Sequence, residues 1–276
     1  MLYDRRKRRY KVTLEPGKAF FSHLGSVTFD DVIGRDEGFY AMTNRGHRML
    51  VLRPTFREAV LDLPRQSQVI YPKDLAAILM HANIFPGAHV AELGFGSGAA
   101  SSAILRAIGP TGSLTTYEVR EGVVKPSIAN VETLAPGAAN HTVVVADAYE
   151  HGIPLSGLDA VIADLPEPWR MVEAASRALR PGGIFLGYLP TILQVHQFVM
   201  ALTKDARWRL VETVELLERP WHVTDQSVRP EHRMVSHTGF ITTARHCLPP
   251  PAAEAEALQA EASQAEVEPE DGTDAE

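Results

Sequence analysis

From His89 onward the chain alternates between two periods, and that alternation narrows the folds open to it. Short runs rich in β-branched residues, "HVAELG", "GSLTTYE", "HTVVVAD", "LDAVIAD" and "IFLGYL", read as strands. Among them lie "SGAASSAILRAIG", "REGVVKPSIANVETL", "PWRMVEAASRAL" and "TILQVHQFVMALTKD", which read as helices. Strands alternating with helices form a parallel sheet covered on both faces. Pro126 is expected to put a fault in the second helix, and Pro181-Gly182-Gly183 to end the third. Two last strands, near Trp208–Leu217 and Met234–Ala244, have no helix between them and are expected to pair antiparallel. The fold class is therefore α/β, a Rossmann-like sheet.

Ahead of this region the pattern differs. Residues 1–64 carry short alternating runs such as "GFYAMTN" between the turn signals "EPGK", "VIGRDEG" and "TNRGHR", and read as a small β-rich domain. Residues 65–248 form the α/β domain, opening with a helix over Leu75–Ala82 that Pro86-Gly87 breaks. Residues 249–276 are an acidic tail. Pro251–Glu276 holds nine acids and no base, a composition that buries little and is expected to be disordered. The formal charge of -7 hides this division, because the rest of the chain has 25 acids against 27 bases. Residues 1–53 are near +5, with the run Arg5–Arg9 as a phosphate-binding candidate or a plain solvated terminus. No apolar run reaches the ~20 residues of a membrane span. The single Cys247 excludes an internal disulfide and, with no signal peptide in view, points to the cytoplasm.

The turn after the first strand of the sheet, "ELGFGSGAA", is where such a fold binds ligands. Gly94, Gly96 and Gly98 let backbone approach a ligand without Cβ clash. Glu118, ending the next strand, suits two ribose hydroxyls, and Asp147, after the third, an adenine amino group. The plainer alternatives for both acids are a helix cap or a surface ion pair. The third glycine comes one residue too early for the dinucleotide fingerprint, so S-adenosylmethionine fits better than NAD. Asp164 follows the fourth strand on a loop stiffened by Pro166 and Pro168, and is the catalytic candidate. It is expected to be ionised, with the usual aspartate pKa near 3.9. Trp169 is a base-pocket wall or a core residue, and Tyr71 is placed to bond or stack on a base. His222, His232 and His237 with Cys247 match no usual zinc spacing. Arg219, Arg229 and Arg233 are phosphate-binding candidates.

Taken in order, "QVIYPKD", "ELGFGSGAA", "TTYEVR", "ADLPEPW", "GYLPTILQ", "ERPWHV" and "RPEHRMVSHTGF" resemble the tRNA (adenine-N1)-methyltransferases of the TrmI type, which modify position 58 of the T loop. The resemblance implies a class I methyltransferase domain behind the small β domain, S-adenosyl-L-methionine as cofactor, tRNA as substrate and a homotetramer. It carries cofactor contacts to Ser97, Gly98, Ala99, Ala100, Glu118, Asp147 and Asp164, the catalytic acid to Asp164 and the base-contacting tyrosine to Tyr71. Five positions depart from the family pattern. Phe95 replaces a small residue and is expected to add bulk beside the cofactor. Val123 stands where relatives often carry a histidine near the adenine. Gly122 and Pro126 are expected to weaken their helix, and Ser236 replaces a glycine. A non-catalytic RNA-binding subunit and an NAD-dependent oxidoreductase are the competing readings. Retention of Glu118 and Asp164 speaks against the first. The lack of a Tyr-x-x-x-Lys or similar set speaks against the second.

Overall fold

The computed structural model describes residues 1–64 and 68–248, so the acidic tail lies outside the described residues. The chain divides into two compact units, one of Met1–Asp62 and one from Leu63 onward. In the first, β1 (Leu2–Tyr3), β2 (Arg9–Tyr10), β3 (Ala19–Ser22), β4 (Gly25–Thr28), β5 (Phe39–Met42) and β6 (Arg48–Val51) precede a short helix α1 (Phe56–Leu61). They make an antiparallel sheet of order β2-β1-β6-β5 and a β3–β4 hairpin. Leu2, Val27, Val32, Ala41, Met49 and Val51 form its core. The basic run is a tight turn between β1 and β2. The buried Asp4 carboxylate accepts from the N–H groups of Arg6 and Arg8 and from the Arg8 guanidinium, while Lys7 takes φ 60°. Arg5, Arg6 and Lys7 are left exposed at its tip. Helix α1 was not anticipated, although Thr55 and Glu58 form a capping box that is legible as T-x-x-E.

The second unit runs α2 (Pro72–His81), β7 (His89–Leu93), α3 (Ala99–Ile108), β8 (Ser113–Glu118), α4 (Glu121–Leu134), β9 (His141–Val145), α5 (Ala148–His151), β10 (Leu158–Ala163), α6 (Val172–Ala178), β11 (Leu179–Leu189), α7 (Ile192–Thr203), β12 (Trp208–Glu215), β13 (Trp221–Thr224), β14 (Ser227–Pro230) and β15 (Phe240–His246). Seven strands form one sheet in the order β12-β15-β11-β10-β7-β8-β9. Only β15 runs antiparallel to its neighbours β11 and β12. Central strands are buried on both faces. Ala91, Leu93, Ala163, Phe185 and Trp208 pack with Phe198 and the apolar face of α6 on one side, while Glu92 meets Ser101 of α3 on the other.

Three expectations need correction. Helix α4 runs unbroken through Pro126. The N–H that proline lacks would have met the Gly122 carbonyl, in an exposed residue where water can serve it. Bonds from Ser127 and Asn130 to the glycine turn hold the helix besides. Pro181-Gly182-Gly183 does not end a helix in a loop. It forms the irregular first half of β11, where the register against β10 shifts between Leu158 and Ala160. Residues 234–239 are not strand: β15 begins at Phe240, and the β13–β14 hairpin lies between it and β12. That hairpin has no glycine in its turn. Its ends are joined instead by the Ser227 N–H donating to Thr224 Oγ1 at 3.1 Å.

Candidate active site

Strand β7 pairs in parallel with β8 on one side and β10 on the other, which makes its carboxyl end the point where the strand order reverses. The Gly94–Gly98 turn stands there, fixed from both sides. Gly94 donates to the Tyr117 carbonyl at 2.9 Å, and Asp164 donates its N–H to the Leu93 carbonyl at 2.9 Å. Gly94 has φ 94°, and a Cβ on it would run into the carbonyl oxygen of Asp164. Gly98 has φ 78° at the N-cap of α3, where a Cβ would lie 2.9 Å from the Ser127 carbonyl oxygen. Two turn carbonyls are held by α4. Ser127 Oγ donates to Gly96 O at 2.6 Å, and Asn130 Nδ2 to Ser97 O at 3.1 Å. Neither residue was singled out from the sequence, since nothing local links them to a turn 30 residues earlier.

Glu118 is 4% exposed. It accepts from the Gly96 N–H at 3.3 Å, the Arg120 N–H at 2.9 Å and Arg120 Nε at 3.0 Å. Burial alone would raise its carboxyl, but the Arg120 guanidinium and these N–H groups hold it below the usual range, so it is ionised. Arg120 is a further site residue, and its signal was a cation two places after the strand-end acid.

Asp164 is exposed, one residue past the end of β10. Desolvation by the protein around it pushes its carboxyl up to about 6, with the Arg120 charge opposing and the Glu118 charge adding. The expectation of an ordinary aspartate pKa is thus corrected. The Arg120 charge limits the rise, and at neutral pH the carboxylate dominates.

Gly94, Gly96, Gly98, Glu118 and Asp164 therefore form one cluster. Gly96, Ser97 and Val123 share a cavity of 280 Å³ with Pro126, Ser127 and Asn130. Ala99 and Ala100 are buried in the first turn of α3. Asp147 stands two residues past β9 as the N-cap of α5, its Oδ1 accepting from the Tyr149 N–H at 2.8 Å, which is the plainer capping role. Tyr71 is the half-buried N-cap of α2. Among the described residues no side-chain hydrogen bond ties Asp147 or Tyr71 to the cluster. Trp169 packs against the core. The Phe95 ring is buried, edge-on to His141 at 5.6 Å, so it adds no bulk to the open side of the turn.

Glu92, behind the turn, is buried with Oε2 accepting from Ser101 and from Thr116 Oγ1, the latter at 2.7 Å. Oε1 has no partner among the described residues. Burial pushes its carboxyl from 4.5 up to about 8, against the pull of those two hydroxyls. The folded state therefore holds this proton more tightly than the unfolded chain. The stabilisation is full below about pH 4.5 and is lost as pH rises through about 8. Thermal melts of wild type are expected to fall over this window, and those of Glu92→Gln to fall less. Identical pH dependences would show that Glu92 is not a neutral acid in the fold.

Residues 48–238 match the family described as the tRNA methyltransferase complex GCD14 subunit, and residues 1–40 match the TrmI-like N-terminal family. The chain is 31% identical over 270 residues to the tRNA (adenine(57)-N(1)/adenine(58)-N(1))-methyltransferase TrmI of Methanocaldococcus jannaschii, covering 89% of this chain and 94% of that one. It is 32% identical over 245 residues to the tRNA (adenine(58)-N(1))-methyltransferase TrmI of Thermus thermophilus, covering 89% and 95%. Among solved structures, a SAM-dependent O-methyltransferase from Thermotoga maritima superposes with a TM-score of 0.85 at 29% identity, covering 91% and 93%. The tRNA (m1A58) methyltransferase TrmI of Aquifex aeolicus superposes with a TM-score of 0.75 at 28% identity, covering 86% and 92%. With its strand order, its glycine turn and the acid packed against it, this chain belongs to the GCD14/TrmI family of methyltransferases.

Proposed function

We propose that the chain transfers a methyl group from S-adenosyl-L-methionine to N1 of adenine 58 in the T loop of tRNA. The observation that carries this is the cluster at the strand-order switch, where the Asp164 backbone packs on Gly94 within the same turn that bonds to Glu118. The cluster fits the cofactor. The cradle is one that Cβ atoms would fill, and the ionised, buried acid is an acceptor for two ribose hydroxyls. Gly94, Gly96, Ser97, Gly98, Ala99 and Ala100 would hold the amino-acid end, Glu118 the ribose, and Val123 and Asp147 the adenine. When bound, the cofactor supplies an already activated sulfonium methyl, so the chain's task is alignment. Asp164 accepts a hydrogen bond from the exocyclic amine of the target adenine. This turns N1 toward the methyl and offsets the positive charge arriving on the ring. Tyr71 contacts the base once it has been drawn out of the folded loop.

A homotetramer is part of this proposal. Trp221, Val223 and Val228 leave 57%, 68% and 69% of their surfaces exposed on the β13–β14 hairpin, an apolar face suited to a second copy. A monomeric mass by light scattering would overturn that part. Among the described residues no helix is long and apolar enough to cross a membrane, and we place the protein in the cytoplasm. Mass mapping of tRNA after incubation with protein and S-adenosylmethionine is expected to find one added methyl at adenine 58, and unmodified tRNA would refute the proposal. S-adenosylhomocysteine is expected to raise the melting temperature and NADH to leave it unchanged. The reverse would favour an oxidoreductase.

A further inference from the structure

The first turn of α2 carries a buried ion pair that the chemistry above does not use. The Lys73 side chain is 9% exposed and lies 2.7 Å from Asp74 Oδ1, on a side chain that is fully buried. Lys73 Nζ also donates to the Leu216 carbonyl at 2.8 Å and to Thr238 Oγ1 at 2.5 Å. The Tyr188 hydroxyl closes the ring, 3.2 Å from Asp74 Oδ2 and 2.9 Å from the Thr238 carbonyl that accepts from it.

The partners of Lys73 have a shared topology. Leu216 is where the chain leaves β12, and Thr238 is where it returns toward β15. Between them run the β13–β14 hairpin and Arg219, Arg229 and Arg233, so one ammonium holds both ends of a 21-residue excursion, 217–237. His237 adds bonds to Glu215 at 2.7 Å and to the Pro190 carbonyl at 2.8 Å. Gly239 packs against the Tyr188 ring, with no room for a Cβ. Two residues before Lys73, on the same helix start, stands Tyr71.

Stability alone is a poor reason for such a joint, because apolar side chains of similar volume often hold a buried contact as well as an ion pair does. What the pair adds is registry, since each of its acceptors lies at one defined place. We infer that Lys73 is a positioning residue. It locks the base of the 217–237 excursion to the helix start that carries Tyr71, so that RNA gripped by the excursion's arginines sets the tyrosine against the target base. The inference rests on the tRNA-methylating reading of the site.

The test uses the full chain and two variants. Lys73→Met removes the ammonium, and Thr238→Val removes one acceptor while leaving the Lys73–Asp74 pair intact. Single-turnover methylation of tRNA is expected to slow on the order of tenfold in Lys73→Met and by less in Thr238→Val, the scale of a misplaced contact. S-adenosylhomocysteine affinity should stay within about twofold, because neither residue touches the glycine turn. In a Tyr71→Ala background, Thr238→Val should cost nothing further, since both losses act through one side chain. A parallel loss of cofactor affinity and rate would reduce the joint to a structural role and overturn the inference. So would losses that multiply in the double variant. Wild-type protein that leaves adenine 58 unmodified would instead sink the functional reading beneath it.

Discussion

Asp164→Ala is expected to lower the single-turnover methylation rate by on the order of 10²- to 10³-fold, the usual cost of losing one group aimed at developing charge. tRNA affinity should change by less than about threefold, because phosphate contacts elsewhere dominate binding to RNA. The motive is geometric. The Asp164 backbone is hooked to Leu93 and packed on Gly94, so the acid is carried on main chain with a defined place beside the glycine turn. The wild-type rate should also climb as pH rises through about 6, because the charged carboxylate accepts more strongly than the neutral acid and alone offsets the charge on the ring, and its protonation is shifted into that range. Asp164→Asn should flatten this limb. A rate within about threefold of wild type in the alanine variant would show that the acid does not stabilise the transition state.

Glu118→Ala is expected to weaken cofactor binding by ~2 kcal/mol, the scale of hydrogen bonds to a charged group. That corresponds to roughly thirtyfold in Kd. Arg120 tempers the expectation in a measurable way. Its guanidinium holds both carboxylate oxygens, so the ribose must share an acceptor that is already engaged. Calorimetry with S-adenosylhomocysteine would settle the assignment, and unchanged affinity would remove Glu118 from the cofactor site.

The sheet was legible because its strands are short β-branched runs and helices such as α3, α4 and α7 run ten residues or more. Where both faces are buried, length, flanking glycines and β-branched content separate the two, and the strand-end acids Glu118 and Asp164 fall out of the same pattern. What was not legible depends on distance or on compensation. Pro126 reads as a fault, yet α4 continues because Ser127 and Asn130 bond to carbonyls in a turn about 30 residues away. Phe95 reads as bulk in the pocket, but its direction is set by His141, two strands off. The pKa of Asp164 depends on what surrounds it, which a local window does not contain. The hairpin at Trp221–Pro230 escaped because its turn residues, Asp225 and Gln226, are not the glycine-bearing pair that signals a two-residue turn. Lys73 and Asp74 sat in a quoted motif without a role, because their partners at 188, 216 and 238 are brought to them only by the fold.

The absence of a Cβ at Gly94 has a consequence for mutational search. Any side chain there displaces the main-chain oxygen of Asp164, so a change made in the glycine turn is passed at once to the loop that carries the proposed catalytic acid. The two loops therefore cannot be optimised independently. A library randomised over 94–98 and selected for retention of a sulfonium analogue should recover binders with slow turnover whenever position 94 has changed. Substitutions that leave 94 as glycine should keep affinity and rate correlated. Substitutions at Val123 and Pro126, which border the neighbouring cavity, leave position 94 as glycine and should alter affinity without this penalty on rate.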